Sequence, residues 1–182
     1  EAMATIPQVA ELLRPLLPLV EFRHRSWLED DEREHTLAWL EEDRLCYVST
    51  ASPRTRASNV LPPVAAATGP VAYVRFHGRN WQTWNKRDAT RSWQRFDWVY
   101  SPEELGEWVG PIERLASQAE EVYAMSNNNP DDFRSIAAHL ATTAAASAPK
   151  MLVLEGVYSM EGHIARLPEI MAVAREHQCF TV

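Results

Sequence analysis

The sequence predicts an α/β protein with a mainly parallel sheet, and three observations carry that expectation. Short runs of β-branched and aromatic residues alternate with longer helix-spaced runs along most of the chain, which is the order that builds strand–helix–strand units with right-handed crossovers. The stretch Val71-Ala72-Tyr73-Val74-Arg75-Phe76 starts after a Gly-Pro break and runs into the polar cluster His77-Gly78-Arg79-Asn80, so it reads as a buried strand delivering polar groups to its C-terminal end. Alternation along a strand puts Val74 and Phe76 on one face and Tyr73, Arg75 and His77 on the other. In α/β proteins, ligands gather at that end of the strands.

The elements follow in order. Residues 4–17 carry Val9, Leu12, Leu13, Leu16 and Leu17 at helical spacing, with Pro7 in the first turn and Pro15 and Pro18 at the exit. Leu19-Val20-Glu21-Phe22-Arg23-His24 reads as a strand with the same parity as the central one, Glu21 and Arg23 opposite Val20 and Phe22. Asp30 or Asp31 caps a helix to about Asp43, with Glu34 placed for a reciprocal cap and Leu37 and Leu40 inward. Leu45 to Thr50 is a third strand, and the Pro-, Ser-, Thr- and Ala-rich stretch from Ala51 to Gly69 is a loop.

After Asn80, Trp81, Trp84, Trp93, Phe96, Trp98 and Tyr100 interleave with Lys86, Arg87, Arg91 and Arg95. Such an insertion either stacks on bases or sugars or forms a lid packed by its own aromatics. Ser101-Pro102-Glu103-Glu104 opens a helix to Ser117 or Gln118. Glu121 to Ser126 is a strand ending in Asn127-Asn128-Asn129, and Asn129-Pro130-Asp131-Asp132 caps a helix that fades into the Ala- and Thr-rich 141–148 segment. Met151 to Leu154 form a strand, Leu167-Pro168-Glu169 opens a helix to about His177, and Cys179 to Val182 start another strand.

Composition narrows the functions. At 182 residues the chain holds one ordinary domain or part of a larger barrel, since a complete α/β barrel takes about 250 residues. With 46% hydrophobic and 24% charged residues, disorder is not the expectation. A net charge of -7 argues against general nucleic-acid binding, which needs basic surface to displace counterions. Cys46 and Cys179 have neither metal-type nor redox-type spacing and read as buried thiols. No apolar run approaches the roughly 20 residues of a membrane span, and no basic region precedes an apolar core at the N-terminus, so a cytoplasmic location is expected. The chain opens on Glu1 rather than Met, so a start further upstream is an expectation.

Several ordered motifs resemble the YecE-like family, a domain of unknown function. They are Val20-Glu21-Phe22-Arg23-His24-Arg25-Ser26-Trp27, Tyr73 to Asn80, Phe96-Asp97-Trp98-Val99-Tyr100-Ser101 with Glu103-Glu104-Leu105, and Asn127-Asn128-Asn129, and the similarity covers about residues 6–145. The resemblance implies the C-terminal half of a TIM-type barrel, a partial barrel whose first strands are absent. Ser49 stands where the family often has an aspartate.

The tail from Lys150 to Val182, above all Leu154-Glu155-Gly156-Val157-Tyr158-Ser159-Met160-Glu161-Gly162-His163 and Leu167-Pro168-Glu169-Ile170, is similar to an internal segment of the α-oxoamine synthases, which use pyridoxal phosphate. His163 replaces the usual aspartate, the chain stops before the aspartate that pairs with the pyridine nitrogen, and the Schiff-base lysine is missing. Ser159 matches a serine near the cofactor, but alone it cannot hold or activate pyridoxal phosphate. The implied organisation is a partial barrel over 1–145, a linker over 146–149, and an appended βαβ segment over 150–182, a fused or truncated piece.

In a barrel, Glu21, Arg23, Tyr73, Arg75 and His77 would point inward, where charges need partners. Glu21 with Arg23 or Arg75 is the natural pairing, either as a structural ion network or as a pocket. As chemistry, Glu21 and His77 are the candidate acid–base groups. Arg23, Arg75 and Arg79 suit a forked grip on carboxylate or phosphate, and His24, Asn80, Asn127 and Asn128 complete a set for a small anionic or polar ligand. Glu21, His24 and His77 have the types of a metal site, but the adjacent arginines disfavour a cation. No cofactor is expected, pyridoxal phosphate being the alternative. Self-association through a sheet edge left open by the missing strands is the alternative to ligand binding.

Overall fold

The computed structural model describes residues 2–86, 98, 100–126, 150–152, 167–176 and 179–181. The chain divides into two compact units, Glu1–Phe76 with Pro111–Met125 and His77–Gly110 with Ser126–Val182.

The first unit is built on a four-stranded sheet in the order β1 (Leu19–Val20), β2 (Cys46–Ala51), β3 (Val71–Phe76) and β4 (Glu121–Ser126). β1 pairs with β2, and β2 with β3, in parallel, with Val20 opposite Tyr47, Val48 opposite Tyr73, and Thr50 opposite Arg75. All six residues of β2 are buried, whereas β3 alternates, with Ala72, Val74 and Phe76 buried and Val71, Tyr73 and Arg75 half-buried. The expected parity of the central strand is therefore present through Phe76.

One face of this sheet carries the core. Tyr47 clusters with Phe22, Leu28, Leu40, Leu45 and Leu61, and Val20, Leu37, Trp39, Val64 and Ala66 pack around them. α2 (Asp30–Glu42) supplies Leu37 and Leu40 as expected. Register then assigns Ala72, Val74 and Phe76 to the Tyr47 face, and Val48, Thr50, Tyr73 and Arg75 to the opposite one. The loop between β2 and β3 is tied down at Thr68, whose hydroxyl donates to the Leu45 carbonyl at 2.7 Å and accepts from the Tyr47 amide at 2.8 Å.

Three expectations in this unit are corrected. The strand foreseen from Leu19 to His24 is only two residues long, because the chain leaves β2 and the Arg25 amide donates to the Ser58 carbonyl at 2.8 Å. α1 (Ala2–Leu12) ends before the expected residue 17 and packs through Ile6 and Ala10, one i,i+4 stripe, leaving Val9 and Leu12 exposed, as is Leu13 just beyond it. α2 has Glu29 at its N-cap with no side-chain cap bond; Asp30 lies inside the first turn and pairs instead with Arg33 at 2.6 Å.

In the second unit, α3 (Trp81–Trp84) follows the polar cluster, and α4 (Pro102–Gln118) begins at the expected cap and continues into the first unit. The Glu104 amide donates to Ser101 Oγ at 3.2 Å while Glu104 Oε2 accepts from the Ser101 amide at 2.9 Å, so two otherwise orphaned donors satisfy each other's side chains. β5 (Lys150–Leu152), α5 (Leu167–Glu176) and β6 (Cys179–Thr181) form a βαβ segment whose strands pair in parallel. Arg87, Arg91, Trp93, Arg95, Phe96, the helix expected after Asn129 and the 141–148 segment lie outside the described residues. Among the described residues, no helix is long and apolar enough to cross a membrane.

Candidate functional site

Glu21 follows β1 directly, one residue past the last pair of β1 with β2. Its Oε2 accepts from Arg75 Nη1 at 2.6 Å, and its Oε1 lies 3.0 Å from Arg23 Nη2. The carboxylate is thus held between two guanidinium groups. It is largely buried, at 13% side-chain exposure, while Arg75 is at 30% and Arg23 at 67%. Among the described residues, the ion pairs of this cluster set two arginines against one carboxylate, in a chain that is acidic as a whole. Arg23 reaches Glu21 as foreseen, but from the surface rather than from a barrel interior, because the strand that was to hold it ends at Val20.

An aromatic platform adjoins this pair on β3. Tyr73, two residues before Arg75 and on its face, stacks on Tyr123 of β4 with ring centroids 6.1 Å apart. Burial pushes the Tyr73 phenol above its ordinary value, with the Arg75 charge opposing and the Glu21 charge adding. The Tyr123 phenol is raised by its hydrogen bond to Glu121, which accepts from it at 2.5 Å.

Among the described residues, no contact joins His24 to the ion pairs. It is the N-cap of the 3-10 turn Arg25–Trp27, accepting from the Ser26 amide at 3.3 Å, with its Nδ1 2.8 Å from Ser26 Oγ.

His77, Arg79 and Asn80 belong to the second unit. β3 ends at Phe76, so the alternation that would have left His77 half-open no longer applies; it is buried and meets the edge of Trp84 at 6.5 Å. Gly78 has φ 83, a conformation a side chain rarely adopts, and its amide donates to Tyr100 Oη at 3.0 Å. Arg79 spends its fork on protein carboxylates: Nη2 lies 2.6 Å from Glu107 and Nη1 3.4 Å from Glu104, and its guanidinium sits 5.7 Å from the Tyr100 ring centre. Glu104 in turn accepts from Trp98 Nε1 at 3.2 Å and closes the helix cap. This geometry makes Arg79 a clamp between the polar loop and α4. Asn80 is the N-cap of α3 without a side-chain cap bond. Asn127, Asn128 and Ser159 lie outside the described residues.

Sequence reading overlooked two members of the first cluster. Thr50 is 2% exposed, and among the described residues its Oγ1 has no hydrogen-bond partner. Tyr123 had been read only as a strand residue. Register sets Thr50 beside Arg75 and stacking sets Tyr123 on Tyr73, and both depend on partner strands rather than on one strand. Among the described residues, no group of three His, Cys, Asp or Glu side chains is placed to hold a metal ion.

A mixed α/β chain with a parallel four-stranded sheet and polar groups at the strand ends has the fold class of the TIM-like barrels. The chain belongs to the DUF72 family, described as a protein of unknown function, whose model matches residues 1–155. It is 31% identical over 112 residues to the UPF0759 protein YunF of Bacillus subtilis (strain 168), across 60% of this chain and 40% of YunF.

A crystal structure of a DUF72 family protein from Enterococcus faecalis V583 matches with a TM-score of 0.70 at 23% identity, covering 78% of this chain and 52% of that one. A DUF72 family protein from Thermotoga maritima MSB8 matches with a TM-score of 0.60 at 30% identity, covering 69% and 44%. The chain therefore spans about half the length of these relatives, or less. Serine palmitoyltransferase 2 of Dictyostelium discoideum is 47% identical over 30 residues, 16% of this chain and 6% of that one. The likeness of the tail to the oxoamine synthases rests on those 30 residues.

Proposed function

We propose that the polar face of the first unit binds a small anionic or polar ligand through Arg75 and Arg23. The observation that carries this reading is the Glu21 carboxylate held at 2.6 Å and 3.0 Å by two guanidinium groups. One carboxylate cannot neutralise both arginines, and a half-buried guanidinium fork favours a carboxylate or phosphate. Tyr73 and Tyr123 offer a flat surface beside it for the uncharged part of the ligand. In this reading Glu21 orients the arginines, and acid–base work by Glu21 and His77 is not required.

The test is an NMR titration with inorganic phosphate and with citrate. Shifts centred on Glu21, Tyr73 and Arg75 in the native chain, and lost in Arg75→Ala, support the reading. Shifts scattered over surface lysines and arginines, the same in both proteins, overturn it.

A second reading is an assembly module. Val9, Leu12, Leu13, Leu16, Leu17 and Leu19 are exposed, and among the described residues β1 pairs on one side only. An apolar row beside an unpaired strand edge favours self-association. Mass measured by light scattering at two protein concentrations decides it, since a constant monomer mass removes this reading. An oxoamine-synthase-like origin for residues 150–182 is a further proposal, resting on the 30-residue likeness alone and carrying no pyridoxal phosphate site.

A further inference from the structure

We infer that the Thr50 hydroxyl is the hidden third member of the anion site, uncovered when a ligand oxyanion replaces Glu21 on Arg75. This rests on the proposed binding role of Arg75 and names the ligand class, a phosphate or carboxylate, together with the exchange that admits it.

The geometry comes from strand order. β1 and β3 flank β2, and neighbouring strands lie about 4.8 Å apart, so Glu21 and Arg75 meet only by reaching towards each other across β2. Arg75 is registered with Thr50, and Glu21, one residue beyond the Val20–Tyr47 pair, falls level with Val48. The ion pair therefore crosses β2 between Val48 and Thr50, on the face to which both point. Thr50 lies in register with Arg75 on that face: it is 2% exposed, yet among the described residues its Oγ1 has no hydrogen-bond partner. A buried hydroxyl without a partner is disfavoured in a resting structure, and a valine would fill the same shape without that cost.

An incoming oxyanion resolves this. It takes Arg75 Nη1 from Glu21 Oε2, and Glu21 keeps its second partner, Arg23, so no carboxylate is left unpaired. Arg23, mostly exposed, gives the displaced carboxylate an outward position. The Thr50 hydroxyl then donates to the ligand oxygen held by Arg75, and the unpaired group acquires its partner. The exchange explains why a carboxylate sits on the arginine at all: it holds the fork in place until the ligand arrives.

The experiment titrates inorganic phosphate into the full chain and into Thr50→Val, Thr50→Ser, Glu21→Gln and Arg75→Ala, with urea unfolding of each. Thr50→Val should bind phosphate roughly tenfold more weakly, the worth of one hydrogen bond to a charged group, while unfolding at the same or higher urea. Thr50→Ser should stay within about twofold of the native affinity because it keeps the hydroxyl. Glu21→Gln should bind several-fold more tightly, since the competing charge is gone.

Native affinity in Thr50→Val, with binding abolished in Arg75→Ala, overturns this inference and leaves the binding role standing. Unfolding of Thr50→Val at clearly lower urea also overturns it, by showing the hydroxyl to be structural. Weaker binding in Glu21→Gln overturns the exchange. Identical behaviour of Arg75→Ala and the native chain removes the binding role and this inference together.

Discussion

Glu21 Oε2 and Arg75 Nη1 meet at 2.6 Å although β2 lies between β1 and β3, and the same carboxylate reaches Arg23 at 3.0 Å. The pair ties the chain just past β1 to β3 across β2. Arg75→Ala should lower stability by about 1 kcal/mol, between the worth of exposed and buried pairs, because Glu21 keeps Arg23. The same variant should lose phosphate binding at least about tenfold. Urea unfolding and phosphate titration of one preparation check both, and equal losses in the two would mark a purely structural network.

The reciprocal cap at Ser101 and Glu104 gives a second expectation. Ser101→Ala should cost about 1 kcal/mol, read as a lower thermal midpoint. Ser101 also holds the Glu103 carboxyl below its ordinary value through a side-chain hydrogen bond. A lowered carboxyl supports the fold above the ordinary value and loses that support as pH falls through the folded one. Glu103 should therefore titrate nearer its ordinary value in Ser101→Ala, and NMR titration of the side chain reads this directly.

Gly69 leaves no room for a side chain. A Cβ there would lie 2.7 Å from Cys46 Sγ, and Cys46 is fully buried. Gly69→Ala should cost about 1–3 kcal/mol as an overpacked contact. In a Cys46→Ala background the same substitution should cost much less, so the two changes are non-additive. Additive losses would place the strain elsewhere.

Alkaline pH should weaken the fold. Burial raises Tyr47 and Tyr73 above the ordinary phenol value of 10.0, and Glu121 raises Tyr123. For groups raised in the folded state, the stabilisation is whole below 10.0 and is lost as pH climbs towards the folded values. Ultraviolet titration should show phenolates appearing later in the native chain than in urea. Tyr73→Phe should remove one late step.

Much of the fold was legible because alternation and caps are local. The β3 parity and the Ser101 start of α4 follow from side chains within a few residues, and both are present. The length of β1 was not legible, since Phe22 and Arg23 look like strand residues while the amide of Arg25 bonds to Ser58 in a distant loop. The α2 cap failed for a related reason: Asp30 can cap or pair, and Arg33 one turn on decides for pairing. In the candidate site, Glu21, Arg23 and Arg75 were identifiable by charge on a shared parity. Arg79 was not separable from them, because Glu104 and Glu107, which occupy its fork, are 25 or more residues away. Thr50 carries no charge, and its significance lies in what it fails to bond.

Phe22, Trp27 and Trp39 lie face to face in a short ladder, with centroid separations of 4.8 Å and 6.1 Å. Indoles this close share their electronic excitation, so the Trp27–Trp39 couple should print a paired circular-dichroism band whose sign depends on their mutual angle. That band belongs to the first unit alone. It offers a dye-free spectroscopic reporter of whether this part of the chain has reached its native packing, whatever the remainder of the molecule is doing.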